Sequence, residues 1–194
     1  MTGKAPRVMD FNGLPGTEHV IDDDTLARRA LNPAAMRKQA EALLAREGKD
    51  AAAQARAQSQ AGLMLLYAGD IDRAEAWLRR AMEDLARLAD AGGHCAAVIR
   101  WTQALEARGL WQASINALEE QEARIRQHAA PLALLGFALQ HLGKARLGAG
   151  YLAEAESALR EALLLREAAG DEELIASSRQ ALRAAARRRD GLGI

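Results

Sequence analysis

At 194 residues the chain is long enough to bury a proper core and short enough for one large domain or one short superhelix. Hydrophobic residues make up 49% and charged ones 27%, an ordinary soluble composition, and 26 Lys plus Arg balance 26 Asp plus Glu. No global field therefore draws in nucleic acid or an anionic membrane, and no run approaches the roughly 18 apolar residues needed to cross a bilayer.

The opening segment, Met1 to Arg7, has no apolar run behind it, so no signal peptide is expected. The single cysteine, Cys95, excludes an internal disulfide and fits a reducing, cytoplasmic setting. Residues 1–24 hold Pro6, Pro15, Gly3, Gly13, Gly16 and the acidic run Asp22-Asp23-Asp24, and read as an irregular arm. Its apolar residues, among them Val8, Met9, Phe11, Leu14, Val20 and Ile21, predict that it packs against something. The acidic run lacks calcium-loop spacing and reads as a cap for a helix beginning near Thr25, so that 25–50 forms an N-terminal capping helix.

Ala, Leu, Arg and Glu dominate the remainder, side chains that lose little rotamer freedom in a helix, and nothing reads as an alternating strand. Asn32-Pro33 opens a helix that runs to about Glu47 and stops at Gly48. The next covers about 51–68 and ends at Gly69; Asp70 then caps a helix to about Asp90, closed by Gly92-Gly93. Further helices are predicted at about 94–108, 111–128, 131–148 and 151–169, and a last one, opened by Asp171, runs to about Arg189. Turns of two to four residues force neighbours to pack antiparallel. Along 71–90 the buried stripe is Ile71, Ala74, Leu78, Ala81, Leu85 and Leu88. Glu75–Arg79, Glu83–Arg87, Glu120–Arg124, Glu122–Arg126 and Glu156–Arg160 place Glu four residues before Arg, which accounts for much of the charge as helix surface.

The chain repeats itself. Gly62, Gly69, Ile71, Ala74, Leu78 and Ala81 recur as Gly143, Gly150, Leu152, Ala155, Leu159 and Ala162. A weaker middle copy has Thr102, Gly109, Trp111, Ser114, Leu118 and Gln121 at the same offsets. Small residues let two helices approach, the turn Gly ends the first, and the hydrophobe after it seals the joint. This pattern over about 51–170 resembles the tetratricopeptide repeat. The turn glycines stand 40 and 41 residues apart against a usual period of about 34, close to two extra helical turns. Longer repeats of this kind are similar to those of bacterial regulatory and peptide-sensing tetratricopeptide proteins.

The resemblance implies an all-α, right-handed superhelical solenoid of antiparallel helix pairs, about eight helices, with 171–194 as a capping helix and tail. It implies a concave groove lined by the first helix of each pair: Arg56, Ser59, Leu63 and Leu66, then Ile99, Gln103 and Glu106, then Phe137, Gln140 and Lys144. No Asn occupies these positions, so clamping of a chaperone tail is not expected; a mixed apolar and polar groove suits an extended or helical peptide. Glu in place of Leu63 or Phe137 is expected to abolish binding without loss of helicity.

No phosphate-cradling glycine loop, nucleophile triad or zinc-ligand spacing is present in the sequence; His94 beside Cys95, with His128 and His141 on other helices, reads as structural. The Arg179, Arg183, Arg187 row with Arg188 and Arg189 reads as a solvated face suited to the helix dipole. Trp101 and Trp111 read as joint seals, and Trp77, one residue off its stripe, as a surface anchor. The expectation is a non-catalytic, cytoplasmic adaptor or regulatory protein without a cofactor, holding another protein or peptide and engaging neither nucleic acid nor membrane. The alternatives are a small-molecule or signal-peptide sensor, or a homo-oligomer assembled through the arm.

Overall fold

Short polar interruptions divide the Ala- and Leu-rich chain into the helices expected of it, as a computed structural model that describes residues 8–11, 13–127 and 131–192 shows. Eight helices lie among these residues: α1 (Pro33–Leu44), α2 (Ala51–Tyr67), α3 (Ile71–Arg87), α4 (Ala91–Ala107), α5 (Trp111–Gln127), α6 (Leu132–Ala149), α7 (Leu152–Ala169) and α8 (Glu172–Leu192). With 76% of the described residues helical and consecutive helices packed in pairs, the fold is all-α. None of the described helices is long and apolar enough to cross a membrane. The chain divides into two compact units, residues 1–104 and 105–194.

Where an irregular arm was expected, the first unit carries a small antiparallel sheet. Its strands β1 (Val8–Met9), β2 (His19–Ile21) and β3 (Arg28–Ala30) lie in that order, with Val8 opposite Val20 and Val20 opposite Arg29. Strands of two and three residues are too short to show alternation, which is why the sequence hides them. The acidic run caps no helix. Asp22 instead builds the β2–β3 turn, its Oδ1 accepting from Asp24 N at 3.1 Å, Thr25 N at 2.7 Å and Thr25 Oγ1 at 2.8 Å. These bonds, the Thr25 backbone one first, hold its carboxyl below the usual carboxylate range. Leu26 takes a left-handed φ of 58° to complete the turn and is buried.

The helix starts are mostly as their caps dictate. Asn32 Oδ1 accepts from Ala35 N at 3.0 Å ahead of α1, and Asp171 Oδ1 from Leu174 N at 3.0 Å ahead of α8. Asp70 makes no such cap bond and turns to Arg73 at 3.3 Å. The expected Gly92-Gly93 stop is also displaced. Here α3 ends at Arg87, Ala89 adopts a φ of 55°, and both glycines fall in the first turn of α4. Asp90 caps that turn through Gly93 N at 3.0 Å. A Cβ on Gly93 would collide with the Asp90 side chain and lie 2.9 Å from Leu85 Cδ2, so glycine is needed for contact.

Within α3, Ala74, Leu78, Ala81 and Leu85 are fully buried as the stripe predicts, whereas Leu88 lies past the helix end, exposed. The repeat shows its physical content in matching contacts. A Cβ on Gly62 would fall 2.7 Å from Leu78 Cγ, and one on Gly143 would fall 2.6 Å from Leu159 Cγ. The turn glycines Gly69, Gly109 and Gly150 all have left-handed φ, at 82°, 75° and 89°. Trp111 packs its ring where a Cβ on Gly148 would be, sealing a joint as expected. Trp77 is not an exposed anchor: it is partly buried against the first unit's core, with the Arg80 guanidinium 5.7 Å from its ring centroid. Three of the Glu–Arg pairs form, at 2.8 to 3.0 Å. In the arginine row, Arg179 pairs with Glu167, Arg188 donates to the Leu147 carbonyl and Arg189 pairs with Glu156.

Candidate functional site

In the first unit, the faces of α2 and α4 leave a channel open between them. Ala53, Arg56, Ala57, Ser59 and Gln60 from α2 and Gly93, Ala96 and Arg100 from α4 enclose about 470 Å³. The small residues hold the walls clear of each other's side chains. A second cavity of about 230 Å³ lies against the sheet, walled by Met9, Asp10, Phe11, His19, Arg28, Gln60, Leu63 and Arg100. Gln60 and Arg100 line both.

The polar groups of this region are unevenly paired. Arg56 Nε meets Asp90 Oδ2 at 2.6 Å. That hydrogen bond, with the one from Gly93 N, holds the Asp90 carboxyl below its usual range. Arg100 is enclosed, and loss of hydration pushes its guanidinium below the ordinary arginine range. Its hydrogen bond goes to Ser59 Oγ at 2.9 Å, and it has no carboxylate partner among the described residues. Arg28 reaches Tyr67 Oη at 3.4 Å while its Nε, buried, finds no partner. His19 is 2% exposed. Its Nδ1 lies 3.1 Å from the Thr17 carbonyl oxygen, which can only accept, so Nδ1 carries the proton and the buried Nε2 is left unpartnered. Burial, more than any charge, holds this imidazole below the usual histidine range. The His19, Phe11 and Tyr67 rings stack in a tilted triangle, centroids 5.0 to 5.8 Å apart, and fasten the sheet to α2.

The ten positions expected in the groove separate by repeat offset. Arg56 and Ser59 line the larger cavity and Leu63 the smaller. Leu66 is partly buried against the core. Ser59, Ile99 and Gln140 share one offset, and all three are core residues, at 0%, 7% and 3% exposed. One residue later, Gln60 and Arg100 line both cavities, because each step along a helix rotates the side chain by about 100°. Gln103 Nε2 donates to the Ile99 carbonyl, and its Oε1 accepts from Tyr67 Oη at 3.4 Å. Leu63 is 8% exposed inside the first unit's core, so a charge there would test folding before binding.

The second unit holds the remaining positions. Glu106 accepts from Ser114 Oγ at 2.8 Å. Burial pushes its carboxyl above the usual range, with Lys144 nearby opposing the shift. Gln140 accepts from Ser178 Oγ at 2.8 Å, and Ser178 in turn accepts from Arg166 Nη1 at 2.7 Å. Arg166 lies over the half-exposed Phe137 ring at 5.4 Å, its pKa pushed down to about 10 by burial, still a cation at neutral pH. Gln140 thus belongs to a buried network and reaches no groove.

Sequence reasoning missed Gln60, Arg100, Arg28 and His19. The first two stand 40 residues apart, the spacing of Gly69 and Gly109, so the repeat contains the signal one position from where it was sought. Arg28 and His19 come from the sheet and carry no such signal. Cys95 is buried, and among the described residues no three His, Cys, Asp or Glu are grouped to hold a metal. His128 lies outside the described residues. No protein-family model matches the chain, and no curated protein matches it.

Proposed function

We propose that the chain is a non-catalytic binding module of the tetratricopeptide-like kind, holding a segment of another polypeptide in the α2–α4 channel. The observation that carries this reading is the 470 Å³ cavity, walled by the first helices of two successive repeats and lined by small and polar side chains. Such a lining offers hydrogen bonds and room for a backbone, and supplies no nucleophile with a base to activate it. Phe11 and Leu14, in the segment between β1 and β2, pack on their own chain's core, which weakens the case for an arm reaching into a neighbour.

The test is site-specific cross-linking. A photoreactive residue in place of Ala96, inside the channel, is compared with one in place of Ala76, on the exposed face of α3, in extract of the native host. One polypeptide captured at Ala96 and absent at Ala76, and competed away by its own purified fragment, supports the reading. Equal capture at both positions, or none at Ala96, removes it.

A further inference from the structure

The smaller cavity has a chemistry of its own. Arg28 and Arg100 both line it, and neither forms an ion pair among the described residues. Asp10 lines it too, but its Oδ1 is taken by Gly13 N at 2.7 Å. With His19 neutral, the three charges leave a net +1, which one monoanion cancels and a phosphate dianion would overshoot. An enclosed arginine is costly without an anionic partner, and the buried Nε–H of Arg28 is a donor awaiting an acceptor.

We propose that this pocket binds a carboxylate, held between Arg28 and Arg100 with the Gln60 amide as a further donor. A planar carboxylate matches the guanidinium fork better than a spherical anion does. At about 230 Å³ the cavity exceeds a carboxylate group and accommodates the residue or small acid that carries it. The sheet supplies Arg28 and His19, and Asp10 follows β1 directly, so the repeat alone does not build this site. For a peptide source, the proposal rests on the channel reading, since Gln60 and Arg100 connect the two cavities.

The experiment follows the arginine Nε–Hε signals of the full ¹⁵N-labelled chain by NMR. It is titrated separately with N-acetyl-dialanine as the free acid, the same peptide as its C-terminal amide, propionate and inorganic phosphate. The free acid is expected to shift the Arg28 and Arg100 signals saturably and the amide to leave them in place. Arg28→Gln, with its circular dichroism unchanged, should weaken the acid by at least about tenfold. Propionate matching the peptide acid supports the site with a small carboxylic acid as its ligand. A peptide acid tighter by about tenfold supports it with a chain terminus instead. Equal responses to acid and amide, tighter binding of phosphate, or immobile arginine signals overturn it. A polypeptide that cross-links at Ala96 with a free carboxyl terminus, while neither it nor propionate moves these signals, leaves the channel reading standing and overturns the carboxylate site.

Discussion

Gly62 of α2 and Leu78 of α3 approach so closely that a Cβ on the glycine would stand 2.7 Å from Leu78 Cγ, inside any real carbon–carbon contact. Leu78 is fully buried and the Ala74 carbonyl is 3.3 Å from the same point, so neither neighbour has room to yield. Gly62→Ala is therefore expected to destabilise the chain by about 1–3 kcal/mol in urea unfolding. Combining it with Leu78→Ala should cost less than the two losses summed, because the smaller side chain relieves the clash. Gly143 against Leu159 should behave in the same way. Gly69→Ala is a contrast: its Cβ meets open space, and the cost of about 1–2 kcal/mol comes from the positive φ alone, with no rescue by Leu78→Ala.

Leu63→Glu and Ala57→Glu should separate core from channel. Leu63 packs in the core, so replacing it loses apolar contacts and is expected to cost about 2–4 kcal/mol, seen as a lowered urea midpoint. Ala57 lines the channel, so its Glu variant should unfold within about 0.5 kcal/mol of the parent. The same variant should lose the polypeptide captured at Ala96. Retention of that polypeptide would argue that it binds elsewhere.

Glu106 makes a prediction about pH. Its folded pKa is raised by burial, so between the unfolded and folded values the native state holds the extra proton and stability falls as pH rises. Glu106→Gln, which keeps an acceptor for Ser114, should be the more stable chain at pH 7. That advantage should shrink as pH falls toward about 4.3 and vanish below it. Paired urea titrations across this range check it; a pH-independent difference would contradict the assignment.

His19 runs in the opposite sense. Its folded pKa lies below the ordinary 6.5, so unfolding takes up a proton and stability falls as pH drops through that value. His19→Gln should flatten the pH dependence of the thermal midpoint between about pH 6.5 and 5. An unchanged slope would place the titrating group elsewhere.

The helices, their order and the matching Gly62 and Gly143 contacts were legible because side chains at steps of three, four and seven carry the pattern. The channel was half legible. Arg56 and Ser59 line it, but Ile99 and Gln140, chosen at the same offset as Ser59, are buried, and the partly buried Gln60 and Arg100 one residue later were not chosen. A one-residue register error survives alignment of glycines, since both neighbours keep the 40-residue spacing. The sheet was invisible: strands of two and three residues are too short for alternation to repeat, and Asp22 looks the same whether it caps a helix or a hairpin turn. No periodicity in one strand can announce a pocket whose walls come from three separate segments.

That sheet also sets an order of events. Gly62 and Leu78 are 16 residues apart, and helix pairs closed over such short loops form early and quickly. Arg28 meets Tyr67 across 39 residues, so the sheet's polar tie to α2 waits for that helix, and Tyr67 meets Gln103 of α4 across a further 36. The last piece to dock is the first to lift. Amide hydrogens in the β2–β3 hairpin are thus expected to exchange through a partial opening of lower free energy than global unfolding, an opening that would carry Arg28 away from the pocket it lines.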